Sequence, residues 1–195
     1  SLVGSEMCIR DSLKDHPVEQ YCRDAKIFQI YEGTNFIQSM DLVSRKLGQA
    51  GGANTQAFLT DIQSFITANK DTPELAEGVG HLQAAHEAVA ASVMKLIGWF
   101  KGGKLEHIPL AAEDFLTIMS DLAVGWLLLD QAAIALKKLP DTSKTHPDHA
   151  FYTGKKFAAQ YFANNVLSTL PARTRRLSSI DTLPIEIPDE AFATV

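Results

Sequence analysis

The chain has 195 residues, is 46% hydrophobic and carries a formal net charge of -5. That length supports one packed core of ordinary size, or one core and a piece of another, while the acidic balance and the lack of a long basic run argue against nucleic acid and anionic membrane as partners. Two cysteines, Cys8 and Cys22, match no metal spacing and are too few for a disulfide framework, and the longest wholly apolar run is far short of the roughly 20 residues of a bilayer span, so a reducing, cytoplasmic setting with no membrane span is expected.

Residues 1–12, SLVGSEMCIRDS, set up no period and no cap, and lack the basic start and apolar centre of a signal peptide. They resemble a translated sequencing adapter. On that reading the native start is cut away and the chain is a C-terminal fragment; a disordered tail is the alternative. Pro17 and Val18 open a short helix to about Ala25. KIFQIYE, rich in β-branched and aromatic residues, then leaves the helix as a loop or extended piece. Gly33 or Thr34 caps a second helix with Ile37, Leu42, Val43 and Leu47 on its apolar side. Gly48, Gly51 and Gly52 mark residues 49–53 as a linker between a domain ending at 48 and another spanning 54–177.

Four helices are expected in that second domain. Asn54 or Thr55 caps the first, whose stripe is Phe58, Ile62, Phe65 and Ile66. Thr72-Pro73 starts the second, with Leu75, Val79, Leu82, His86, Val89, Val93, Ile97 (or Leu96) and Phe100 alternating in steps of three and four. Pro109 opens the third, whose stripe runs Phe115, Met119, Leu122, Trp126, Leu129, Ala133 and Leu136; Leu127 and Leu128 widen it, making this the most buried helix. The fourth begins near Pro147, carries Phe151, Phe157, Ala158, Tyr161, Phe162, Val166 and Leu170, and ends at Pro171. The second and third run about 28–30 residues, roughly 42–45 Å at 1.5 Å per residue. Long helices joined by short loops fold back antiparallel, so the expected fold is all-α, an up-and-down four-helix bundle. Residues 178–195 contain Pro184 and Pro188 and are expected to lie extended.

Few groups suit chemistry. His86-Glu87 begins like a zinc-protease helix, but position 90 is Ala90 and the motif fails. His86 instead falls on the apolar stripe as a hydrogen-bonded core histidine, and His146 and His149 flank a helix start as capping or solvent groups; no metal is expected. Arg173, Arg175 and Arg176 follow a helix end as a solvated basic face, with phosphate or partner contact as the minor reading. Trp99 and Trp126 are core or helix-contact residues.

QIYEGTN, residues 29–35, is different. Glu32 has two readings: a surface acid at a helix start, where negative charge suits the dipole, or a base whose proton affinity is raised by burial among Ile27, Phe28, Ile30 and Tyr31. Gly33 permits close backbone approach by a ligand. Thr34 and Asn35 offer a hydroxyl, an amide and helix-start N–H groups to a phosphate or another polar cofactor group.

PVEQYCRDAKIFQIYEGTNFIQ, residues 17–38, continued by DLVSRKL, resembles the segment near the end of acyl-CoA dehydrogenases. It is most similar to the long bacterial subgroup, methylthiopropanoyl-CoA dehydrogenases among them, that adds a helical domain after the catalytic core. The resemblance implies that residues 13–48 end the catalytic C-terminal helical domain and that 54–177 are the added four-helix domain. It implies FAD as cofactor, an acyl-CoA thioester as substrate and Glu32 as the base removing the α-proton. Tyr31 and Gly33 would contact the substrate, Thr34 and Asn35 the FAD. An electron-transfer flavoprotein or similar acceptor and a homo-oligomeric complete protein are implied as partners. Phe36 departs from the glycine or polar residue usual there, which puts the cofactor role of that position in doubt. The family builds its site mainly from domains absent from this chain, so the fragment alone is expected to be inactive. The alternative is an oligomerisation or interaction module without chemistry of its own, supported by the lack of any acid–base constellation after residue 48.

Overall fold

The computed structural model describes residues 18–192; the expectations for residues 1–12, Cys8 and Pro17 fall outside them. The described residues are mostly helical, with no strand among them. The chain divides into two compact units after Ser39.

The first unit holds α1, Val18–Lys26, a 3₁₀ turn at Ile27–Gln29, and the start of α2, Asn35–Asp41. The expected loop at KIFQIYE is thus partly a helical turn, closed by the Ile30 and Tyr31 amides donating to the Ile27 carbonyl at 3.1 and 2.8 Å.

In the second unit α2 runs on as a π-helical turn, Leu42–Lys46, marked by Leu47 N donating to Leu42 O at 3.0 Å. Asp41 grips the Arg45 guanidinium with two oxygens, at 2.6 and 2.9 Å, and this pairing holds its carboxyl below the usual carboxylate range. Residues read as a linker form a tight reversal instead: Ala50, Gly51 and Gly52 all take left-handed backbone, with φ of 53°, 68° and 88°. Gly52 therefore precedes α3, Ala53–Asn69, in the place expected for Asn54 or Thr55. Thr55 reaches back to donate to the Leu47 carbonyl. The sequence reading ended the first domain at 48. The second unit begins earlier because Val43 and Leu47 are buried in its hydrophobic core.

Four rods make the bundle. They are α3; α4, Ala76–Lys101; α5, His107–Lys138; and a fourth built from α6, Pro147–Asn165, and α7, Leu170–Ser178. Contacts along α5 fix the directions. Gln131 accepts from Lys155, Gly125 faces Leu167, and Asp121 and Asp114 pair with Arg173 and Arg176. Numbers fall on α5 as they rise on α6–α7, so the rods are antiparallel. Gly78 meets Leu129 near one end of the α4–α5 pair and the Trp99 ring meets that of His107 near the other, so these also run opposed. The core is apolar and dense: Ile62, Ile66, Leu82, Leu96, Phe115, Leu122, Leu129, Leu167 and Leu170 are sealed from solvent.

Four expectations are corrected. Pro171 does not end the fourth helix; α6 stops at Asn165, and Pro171 sits in the first turn of α7, where its missing N–H breaks no helical bond. The apolar stripe expected on the fourth helix is buried only in part: Leu170 is sealed, and Phe162 and Val166 pack against the core. Ala159 and Ala163 face inward because the neighbouring helices approach too closely for a ring; Phe151, Phe157 and Tyr161 are exposed. Leu127 is half exposed, so the widened α5 face is not wholly buried. The tail forms α8, Leu183–Glu186, and a 3₁₀ turn at Asp189–Phe192 rather than lying extended. By length and composition alone α5 could cross a membrane, but its Phe115, Ile118, Leu122 and Leu129 are buried in the bundle core.

Candidate functional site

The site expected from sequence is a single turn between the 3₁₀ segment and α2. Tyr31, Glu32, Gly33, Thr34 and Asn35 are consecutive there, so the chain brings all five together by adjacency. Two residues set its shape. Glu32 has φ 57° and Gly33 φ 109°. Left-handed backbone is unusual for a residue with a side chain and costs on the order of 1–3 kcal/mol. Gly33 is required twice over: its φ disfavours other residues, and an added Cβ would sit 3.0 Å from Ile37 Cβ and Cγ2.

Gln38 holds the turn. Its Nε2 donates to the carbonyls of Tyr31, at 3.2 Å, and Glu32, at 3.0 Å. Gln38 N donates to Thr34 O at 3.1 Å, closing the first turn of α2. The amides of Asn35, Phe36 and Ile37 precede any helical acceptor. Sequence reasoning missed Gln38. Its signal was a side-chain amide one helical turn past Thr34, able to reach back to carbonyls turned inward by left-handed backbone.

The expected burial of Glu32 is not supplied by these residues. The carboxylate is exposed, and so are its apolar neighbours, Phe28 and Ile30 at 71% and Tyr31 at 63%. The turn thus presents an acid, a glycine, a hydroxyl and an amide side by side on one open surface, ringed by apolar side chains. Thr34 and Asn35 are exposed at the helix start, and Phe36 is about half exposed. A polar cofactor edge fits this donor set: a hydroxyl, an amide and first-turn N–H groups, beside a glycine that offers no side chain.

The other titratable groups play structural parts. His86 Nε2 lies 3.0 Å from the Leu59 carbonyl and must donate to it, while its buried Nδ1 has no partner. His146 accepts from the Asp148 amide as a helix cap, and His149 bonds the Thr142 carbonyl. The arginine cluster does not trail a helix end: it lies on α7, with Arg173 and Arg176 paired to Asp121 and Asp114. Trp99 is buried and Trp126 meets Phe58 edge-on, ring centres 6.1 Å apart. Open grooves run along the bundle. The two larger described ones are of about 620 Å³, between α3 and α4 beside His86, and about 680 Å³, between α4 and α7. Neither gathers an acid–base set, and among the described residues no cluster of His, Cys, Asp and Glu could hold a metal ion.

Residues 58–188 match the family model described as "Acetyl-CoA dehydrogenase C-terminal like". The chain is 33% identical over 185 residues to the broad-specificity linear acyl-CoA dehydrogenase FadE5 of Mycobacterium tuberculosis, covering 92% of this chain and 30% of that protein. It is 30% identical over 180 residues to a butyryl-CoA dehydrogenase of Syntrophomonas wolfei, covering 92% and 29%. A 3-methylmercaptopropionyl-CoA dehydrogenase of Ruegeria pomeroyi is 30% identical over 176 residues, covering 85% and 28%. The chain thus spans about three-tenths of the length of these curated relatives. An all-helical bundle of this order, matched over most of its length, belongs to the acyl-CoA dehydrogenase C-terminal domain family.

Proposed function

We propose that the chain is the C-terminal part of an FAD-dependent acyl-CoA dehydrogenase, with Glu32 as the base that starts formation of the α,β double bond. The observation that supports this best is the Tyr31–Asn35 turn. It holds an acid in left-handed backbone, beside a glycine and a helix start, in a chain alignable with acyl-CoA dehydrogenases over nine-tenths of its length.

The thioester's α-proton is weakly acidic, so its removal needs a base placed within hydrogen-bonding reach of that carbon. Glu32 takes the proton. Gly33 lets the thioester approach the backbone, and Tyr31 walls the acyl group. Thr34 and Asn35 hold the edge of the flavin through hydroxyl, amide and first-turn N–H donors. When bound, FAD supplies the acceptor for the hydride leaving the β-carbon. Water exclusion comes from polypeptide outside this chain, since Glu32 is open to solvent here. The fragment therefore supplies a base and not a complete site. Reoxidation by an electron-transfer flavoprotein or similar acceptor is part of the same proposal.

The test is Glu32→Gln in the full-length protein. Bound flavin should remain, and its reduction by acyl-CoA should slow by about 10²–10⁴-fold. Flavin reduction at a near-normal rate would defeat the assignment.

A further inference from the structure

Ile37, in the first turn of α2, is 54% exposed and takes no part in the bundle core. It is nonetheless pressed against the turn that carries Glu32. A Cβ added at Gly33 would sit 3.0 Å from Ile37 Cβ and Cγ2 and 3.5 Å from Cγ1, and these are the nearest atoms it would meet. The branch at Cβ holds isoleucine to one preferred χ1 in a helix. The wall it offers Gly33 is therefore stiff.

We infer that Ile37 is a positioning residue for Glu32: its branched Cβ braces Gly33 and so fixes the direction in which the carboxylate leaves the chain. The inference rests on Glu32 being the base. The peptide joining Glu32 to Gly33 is a rigid plane. Its oxygen accepts from Gln38 Nε2 at 3.0 Å, and the Tyr31 carbonyl before it accepts from the same nitrogen at 3.2 Å. Those bonds restrain one end of the plane. The other end is the Gly33 Cα, and glycine itself sets little preference for φ. Gly33 stands at φ 109°, well away from the left-handed helical value of about 57°. Ile37 is what the turn sets against its movement. Without that brace the plane rocks about the Gln38 bonds. The Glu32 side chain springs from the near edge of the plane, so the rocking is carried to the carboxylate at its far end.

The consequence falls on rate. A misplacement of about 1 Å in a reacting group can cost roughly 10²-fold, and a smaller swing of the base costs less. Binding of the thioester does not depend on where the carboxylate points. Substitutions can separate this role from plain apolar contact with polypeptide outside the chain. Valine and threonine both keep the branch at Cβ, and threonine gives up much of the apolar character. Alanine loses the branch and suits a helix.

The experiment is single-turnover reduction of bound flavin by acyl-CoA in the full-length protein, with flavin content and circular dichroism recorded. Ile37→Ala should lower the limiting rate about tenfold, while the half-saturating acyl-CoA concentration stays within about threefold and flavin content holds. The conservative Ile37→Val and Ile37→Thr should both stay within about threefold of the parent rate. An unchanged rate in Ile37→Ala would overturn the inference. So would Ile37→Thr falling with Ile37→Ala, which would make Ile37 an apolar contact only, or a loss of flavin or of acyl-CoA affinity as large as the loss of rate. Glu32→Gln is measured alongside. If that variant reduces flavin at a near-normal rate, the base assignment fails and the inference falls with it. If it is slow, the Ile37 series alone decides whether the brace exists.

Discussion

At the scale of single residues, the turn at 31–35 depends on a side chain outside it. Two neutral hydrogen bonds, each worth about 1 kcal/mol net, tie Gln38 Nε2 to carbonyls that left-handed backbone has turned toward it. Gln38→Ala in the full-length protein should therefore lower kcat about tenfold with flavin content unchanged. Gln38→Glu, which keeps the length but cannot donate, should do the same. A positioning role predicts a loss in kcat larger than the change in KM. Asp41 gives a pH prediction. Its folded carboxyl titrates below the ordinary value of about 3.9 because Arg45 hydrogen-bonds its charged form. The stabilisation is present above the unfolded value and disappears as pH falls through the lower folded one. A carboxyl-carbon NMR titration should place the Asp41 midpoint low, and Arg45→Ala should return it to the ordinary range. Of this layer, the sequence made Glu32, Gly33 and Thr34 legible through their chemistry and their place before an apolar period. It hid Gln38, whose role depends on backbone angles that no spacing encodes.

At the scale of elements, the glycines separate packing from propensity. Gly125 lies in α5 against Leu167; a Cβ there would sit 2.5–2.7 Å from three Leu167 side-chain atoms. Gly98 in α4 has nothing within 4 Å. Gly125→Ala should cost about 1–3 kcal/mol through overpacking, lowering Tm by several degrees. Gly98→Ala should gain up to about 1 kcal/mol from helix propensity. Thermal melts of the two variants should move in opposite directions. Periodicity located α3, α4 and α5 well, because their large residues, Ile62, Leu82 and Leu122 among them, are the buried ones. It held only in part on α6, where Phe162 packs on the core but the fully buried positions are alanines and Phe151, Phe157 and Tyr161 face out. A rule that equates large apolar residues with core cannot see an interface built from small ones.

At the scale of the molecule, the bundle is not a closed package from 54 onward. Val43 and Leu47 precede the glycine reversal and are buried in the core. Each such side chain stabilises by about 1.5–3 kcal/mol when buried. A fragment of residues 54–195 should thus be about 3–6 kcal/mol less stable than one of residues 40–195. Urea denaturation should show this as a lower midpoint. Equal midpoints would mean that the reversal and the segment before it add nothing to the bundle. The all-helical class and the up-and-down order were readable from long apolar periods and short connections. The split fourth rod was not, because proline marks the end of one helix and the first turn of another with the same residue.

The left-handed backbone at Glu32 carries one more implication. Were only the shape of the turn at stake, asparagine, aspartate or glycine would hold it with less strain. A glutamate there keeps one extra methylene of lever arm at the expense of local comfort. Reach and conformation can therefore be varied apart. Glu32→Asp eases the chain while drawing the carboxylate back by about one carbon–carbon bond, whereas Glu32→Gln keeps the arm and removes only the charge.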